Sequence, residues 1–341
     1  MTTPTVSLTD VSAYLPENRV PAEYYANFAG PDDMRDSLMF RAPEFRHHAA
    51  KDESNVDMIE RAVAGLRDRH GAEVLSDVDV LLAHSQLLDM PFVGCAGQVA
   101  HRLGMDPEWV IDVHNGGCGA FVHMMKLARQ LLVSGAGRTA LMVLAQRCAG
   151  TVFDQDRVRT LAQSSVPGDG AAAGLLTLSE DSPILDIECR HYGEYAGDMR
   201  AMSDPPREWW QSGSGEGYIS FTDEAMVAEV LARGNRLVPE VVLAVCDRIK
   251  MKSKDLDLLV TNQPNRVFLR NWNEALELPR QRHCDTFHEC GNLFGVGIPV
   301  NFDAAINDNQ VRPGDVVMMA AFAHAGDFAG AAAIRWGGRP R

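Results

Sequence analysis

Residues 112–121, Asp-Val-His-Asn-Gly-Gly-Cys-Gly-Ala-Phe, place one thiol, Cys118, among three glycines. The run before it, Trp-Val-Ile-Asp-Val, has strand character, and the run after it, AFVHMMKLARQLLVSGAG, is apolar at helical spacing. A cysteine at such a turn gains from the helix N-terminus, whose free N–H groups and partial positive charge lower a thiol's pKa. The glycines let the backbone bend tightly and let a bulky substrate approach the sulfur. The Cys118 N–H is then available to an oxyanion. This is a nucleophile elbow with cysteine in place of serine. The same residues also suit a small, inert cysteine packed in a glycine-rich turn, and locally both alternatives stand.

Other clusters carry less. His283, Cys284, His288 and Cys290 lie close together in RHCDTFHEC, but their spacing matches no zinc pattern, so no metal site is expected. GSGEG, 213–217, lacks the lysine and the strand-to-helix setting of a phosphate loop and reads as surface loop. Beside it, Trp209 and Trp210 suit either the mouth of a substrate tunnel or an exposed packing patch. Arg266 with Arg270, and Arg280 with Arg282, are local basic pairs that fit either an anionic ligand or solvated surface. His114 reads as a packed polar residue on the entering strand.

Elements able to position these groups alternate along the chain. VDVLLAHSQ and RTALMVLAQRC read as buried strands, SNVDMIERAVAGLRDRHG as an amphipathic helix ending at Gly71, and FVGCAGQVAHRLGM as a further helix. The later half repeats this alternation. LDLLVTNQP ends a strand, VGIPVNFDAAIND is helical, and GDVVMMAAFAHAGDFAGAAAIRW gives two strands around a bend. Such a pattern predicts an α/β protein with covered sheets, and the similar halves suggest a duplication by pattern alone.

The chain has 341 residues, 46% hydrophobic and 23% charged, enough for one large core or two fused domains. Its formal charge of −14 disfavours nucleic acid or an anionic membrane as partner. Seven scattered cysteines suggest reduced thiols, and the absence of a signal-like start or a long apolar run predicts a cytoplasmic protein.

Six segments in order resemble the type III β-ketoacyl-acyl-carrier-protein synthase family of the thiolase fold. They are SAYLPENRV, the cysteine turn with its helix and following strand, VPGDGAAAGLL, LLVTNQPNRVFLRNW, ECGNLFGVGIPVNFDAAI and the closing VRPGDVVMMAAFAHAGDFAGAAAIRW. The resemblance implies two related α/β halves, 1–178 with the cysteine and 179–341 with the Asn262 and Asn292 loops, in an α-β-α-β-α sandwich. It makes Cys118 the acyl-accepting nucleophile and Asn292 the asparagine of the Gly-Asn turn. Where the family carries histidine, this chain has Asn262, which cannot shuttle a proton near neutral pH. The bend FAHAGDFAG replaces a run of glycines that in the family passes close to the nucleophile. The resemblance therefore places His324 and Asp327 by Cys118 as base and orienting acid, with His288 as a second candidate.

The activity that this resemblance implies is acyl transfer. The enzyme would load Cys118 from acyl-coenzyme A or acyl carrier protein and pass the acyl group to a small-molecule or carrier-bound acceptor in natural-product, fatty-acid or polyketide biosynthesis. No bound cofactor is implied. Decarboxylative condensation and a non-catalytic partner subunit are the alternatives. The family also implies a homodimer paired through the strand TALMVLAQRC, with Phe153 at the partner's pocket, and a carrier surface at Arg266 and Arg270.

Overall fold

The computed structural model describes residues 4–28, 39–89, 93–207, 216–221 and 226–339; Trp209, Trp210 and most of GSGEG lie outside them. Two five-stranded sheets carry the architecture. The first uses β1 (Val6–Tyr14), β4 (Val80–Ser85), β5 (Trp109–Asp112), β6 (Thr139–Gln146) and β7 (Gly170–Leu178), in the order β1-β7-β6-β4-β5. The second uses β8 (Ile184–His191), β11 (Leu258–Thr261), β12 (His283–Cys284), β13 (Val316–Ala323) and β14 (Phe328–Arg335), in the order β8-β14-β13-β11-β12. Strand senses repeat as well. β4 runs parallel to β5 and β6, as β11 does to β12 and β13; β7 and β14 are antiparallel to their neighbours. The similarity between the halves is therefore one of topology, which explains why no residue-level repeat is visible. A separate antiparallel pair, β2 (Asn18–Pro21) with β3 (Phe45–His48), and the short helices α1 (Ala22–Ala26) and α3 (Glu73–Ser76) complete the first half.

The continuous apolar runs of the sequence become strands covered on both faces. Helices α5 (Ala120–Val133) and α9 (Gly297–Asn307) lie between the sheets, and their side chains share one core with the sheets' inner faces. Helices α2 (Asn55–His70) and α4 (Ala96–Leu103) cover the first sheet from outside. Helices α6 (Met226–Ile249) and α7 (Arg266–Ala275) cover the second. Three cores join five layers, α-β-α-β-α, as expected. Ser54 caps α2 reciprocally with Asp57, a capping box, and Asn265 caps α7 through the Val267 and Phe268 N–H groups.

One buried carboxylate organises the segment after β6. Asp169, fully buried, accepts from the N–H groups of Ala49 (2.9 Å), Cys148 (2.6 Å), Ala149 (2.7 Å) and Gly150 (3.1 Å). Burial raises its pKa and the four donors oppose that rise. This bond set ties the entry to β7 to the loop that carries Phe153.

Strand pairing and exposure correct three expectations. β6, the TALMVLAQ strand, is bonded by β4 on one side and β7 on the other, so it has no free edge for a second chain. The edges of the first sheet are β1 and β5; β1 is largely buried, whereas on β5 Trp109 and Val110 are 39% and 43% exposed. His114, just beyond that edge strand, is exposed rather than packed. Glu216 and Gly217, expected in a loop, begin β10 (Glu216–Phe221), which pairs with β9 (Met199–Asp204).

Candidate active site

Cys118 stands in a single 3₁₀ turn, Gly117–Gly119, between β5 and α5. The glycines around it answer to close neighbours. Gly117 has φ +45°, and a Cβ there would lie 2.6 Å from His324 Nε2. A Cβ on Gly119 would collide with the Phe328 ring, and one on Gly116 would come within 3.0 Å of Ala120 Cα. The glycines thus make room for one histidine, one phenylalanine and the helix itself.

Cys118 is 9% exposed, and burial pushes its thiol's pKa up to about 12. The backbone N–H groups of His324 and Cys118 and the Asn262 side chain pull it back, while the Asp327 charge adds to the rise. The expected lowering by the helix N-terminus is outweighed, because desolvation of a thiolate exceeds what a few dipoles return. Access remains: Cys118 opens onto a cavity of about 130 Å³ with Phe153, Asn262, Asn292 and His324 in its wall.

His324 occupies the link between β13 and β14 with φ +49°, a conformation uncommon for a residue with a side chain. Its Nδ1 bonds the Asp327 carboxylate, 2.9 Å to Oδ1 and 3.1 Å to Oδ2. With that carboxylate as acceptor, Nδ1 carries the proton and Nε2, against Gly117, presents a lone pair. Asp327 is itself fixed, because its carbonyl accepts from the Tyr192 N–H at 2.7 Å.

Asn262 follows β11 and is fully buried. Its Nδ2 donates to the Phe322 carbonyl at 3.2 Å, and its side chain favours the thiolate of Cys118. Asn292 sits in the turn after α8 (Phe287–Cys290), its Oδ1 held by the Phe294 N–H at 3.0 Å. The glycine before it, Gly291, has φ +67°, and its missing Cβ lets the turn lie on the Val166 carbonyl.

His288 is corrected out of the site. It lies on α8 with a half-exposed side chain 3.6 Å from Glu289 and does not line the cavity. Phe153 is buried in the wall of its own chain's cavity, so it is not the reach into a partner that was expected. Arg266 and Arg270 are both exposed on α7. In the RHCDTFHEC segment, His283 Nε2 pairs with Thr261 Oγ1 at 2.8 Å and Cys284 donates to the Asn301 carbonyl at 3.1 Å.

Sequence reasoning missed Gln86, which lines the cavity just after β4. The signal was positional. Gln86, Cys118, Asn262 and His324 all follow the carboxyl ends of parallel strands, where α/β sheets gather their chemistry.

A five-layered α/β molecule with a cysteine at the head of an inter-sheet helix has the thiolase fold. Residues 111–193 match 3-oxoacyl-[acyl-carrier-protein (ACP)] synthase III, and residues 246–336 match the C-terminal part of the same family. The chain belongs to this type III (KAS III-like) family. It is 24% identical over 312 residues to the beta-ketoacyl-[acyl-carrier-protein] synthase III of Clostridium perfringens, covering 91% of this chain and 93% of the relative. It is 28% identical over 294 residues to that of Alkalilimnicola ehrlichii, covering 85% and 87%. In fold it is similar to FabH of Pseudomonas aeruginosa, with a TM-score of 0.83 at 22% identity over 99% and 100% of the two chains. It is also similar to cerulenin-bound OleA of Xanthomonas campestris, with a TM-score of 0.80 at 17% identity over 97% of each chain.

Proposed function

We propose that this KAS III-like chain is an acyltransferase that carries its acyl group on Cys118. The observation that supports this most is the His324–Asp327 pair beside Gly117, opening onto the same cavity as the sulfur. His324 Nε2 takes the thiol proton as the sulfur attacks a thioester carbonyl. The N–H groups of Cys118 and His324, which favour negative charge at the sulfur, serve the oxyanion. The carrier thiol leaves with the proton, and an acceptor then takes the acyl group by the reverse sequence. The donor is acyl-coenzyme A or acyl carrier protein, and no further cofactor is needed. Arg266 and Arg270 offer the positive surface for an acidic carrier, and the exposed edge β5 is the proposed seam of a homodimer.

A second reading, decarboxylative condensation, draws on Asn292 at the cavity and on the names of the relatives. Mass spectrometry of the intact protein after mixing with acetyl-coenzyme A should give an adduct that Cys118→Ala lacks. An adduct that persists in that variant, or none at all, would end the covalent reading and leave a non-catalytic partner subunit. Steady carbon dioxide release from malonyl thioesters would instead establish condensation.

A further inference from the structure

The bend that carries His324 is short and strained, and part of its support comes from distant residues. His324 has φ +49° and Gly326 φ +106°. A side chain in that left-handed region persists only where its surroundings over-determine it. Besides the His324–Asp327 pair, three bonds tie the bend down. The Gly326 N–H donates to the Ala323 carbonyl at 2.9 Å, and the Tyr192 N–H to the Asp327 carbonyl at 2.7 Å. The third comes from α6, where Arg233 Nη1 donates to the Ala325 carbonyl at 3.3 Å. Ala325 is fully buried, so its carbonyl needs a partner inside the protein.

Arg233 is itself held firmly. Its Nη1 also bonds Asp198, and its Nη2 bonds Glu229 at 2.8 Å. Its guanidinium carbon lies 3.9 Å from the centre of the Tyr195 ring, and only 12% of its side chain is exposed. The stem meets the bend directly, since a Cβ on Gly326 would lie 3.3 Å from Arg233 Cβ. A planar fork that serves one carbonyl and two carboxylates while stacked on a ring is fixed in orientation. Arg233 is not in the cavity wall.

We infer that Arg233 is a positioning residue for His324: from α6 it clamps the bend so that His324 Nε2 stays against Gly117, next to the nucleophile. This rests on the acyl-enzyme reading and extends that site to a side chain outside the cavity. Without the guanidinium the buried Ala325 carbonyl loses its donor. The left-handed backbone then relaxes, and the imidazole leaves its place with its Asp327 partner. The proton still passes from the Cys118 thiol to His324, but from a bend that is less often in position. Arg233 acts through His324, so its loss matters only in a chain that has His324.

The test follows acylation of Cys118 in the full chain by acetyl-coenzyme A, with time-resolved intact mass over a range of donor concentrations. Arg233→Met keeps the unbranched stem and removes the donors. It should lower the saturating rate by about ten- to a hundredfold. The half-saturating concentration should stay within about twofold, because the cavity wall is untouched. In a His324→Ala chain, Arg233→Met should change the rate by less than about twofold, since both substitutions remove one interaction. Arg233→Lys, with one ammonium in place of the fork, should lose less, about threefold, and that loss too should vanish in the His324→Ala chain. This second cycle decides if Arg233→Met does not fold. A Met variant within twofold of the parent chain, a loss as large in the His324→Ala chain, or a loss confined to half-saturation overturns the inference while the adduct itself stands. Absence of the adduct overturns the covalent reading, a His324→Ala chain as fast as the parent overturns its base, and this inference falls with either.

Discussion

At the scale of single residues, the buried thiol decides how the chemistry must run. A sulfur with a pKa of about 12 is a thiolate in on the order of one molecule in ten thousand at pH 8. Attack therefore depends on a base that removes the proton as the bond forms, and His324 with Asp327 is positioned for that. His324→Ala should slow acylation of Cys118 by about 10²- to 10⁴-fold. Its residual rate should then climb roughly tenfold per pH unit between pH 6 and 9, because thiolate alone remains reactive below its pKa. Time-resolved intact-mass measurement reads both. A variant within threefold of the parent chain would remove His324 from the role. Asp327→Asn should fall less far, since it leaves the imidazole in place while removing the charge that both orients it and raises the thiol's pKa.

At the scale of elements, the carboxyl ends of β4, β11 and β13, with the turn after β5, converge on one cavity from both halves of the chain. The same topology leaves β1 and β5 as the edges of the first sheet, and of the two β5 is the exposed one, with Trp109 and Val110 open. An open apolar edge is a template for a second strand. Pairing two copies there would extend the first sheets into one and leave β6 in the interior of each. Light scattering should give a mass about twice 37.3 kDa for the parent chain, and Val110→Lys should return it to the single-chain value. A parent chain that runs as a monomer at micromolar concentration would refute the seam.

The whole molecule stores several neutral histidines. Burial drives His48, His84 and His283 down to about 4. The folded state thus binds fewer protons than the unfolded chain, whose histidines titrate near 6.5. The sign comes from linkage: this contribution is fully present above about pH 6.5 and is lost as pH falls toward 4. Urea midpoints should therefore fall between pH 6.5 and 5, before most carboxylates titrate. His283→Gln, which can keep a bond to Thr261, should reduce the slope by on the order of a third if the three contribute equally. An identical slope in that variant would contradict the assignment. Among the described residues no helix is long and apolar enough to cross a membrane.

The chain's own order of residues determined the elements and the nucleophile turn. Periodicity, turn glycines and caps act within a few positions and can be read in place, so β4, α2, α5 and the β13–β14 bend lie where their residues predict. The link from Cys118 to His324 was legible too, because a bend with one histidine and one aspartate stands in the family's glycine run. Tertiary packing decided the rest. It set the direction of the Cys118 pKa, since desolvation sums over every element around the sulfur. It set which strand is an edge, because that depends on pairing order rather than on hydrophobicity, which is greater in β6 than in β5. It buried the Asn262 side chain against Phe322, brought Gln86 to the wall of the cavity, and left His288 outside. Each of these is fixed by atoms distant along the chain, and no local pattern carries that information.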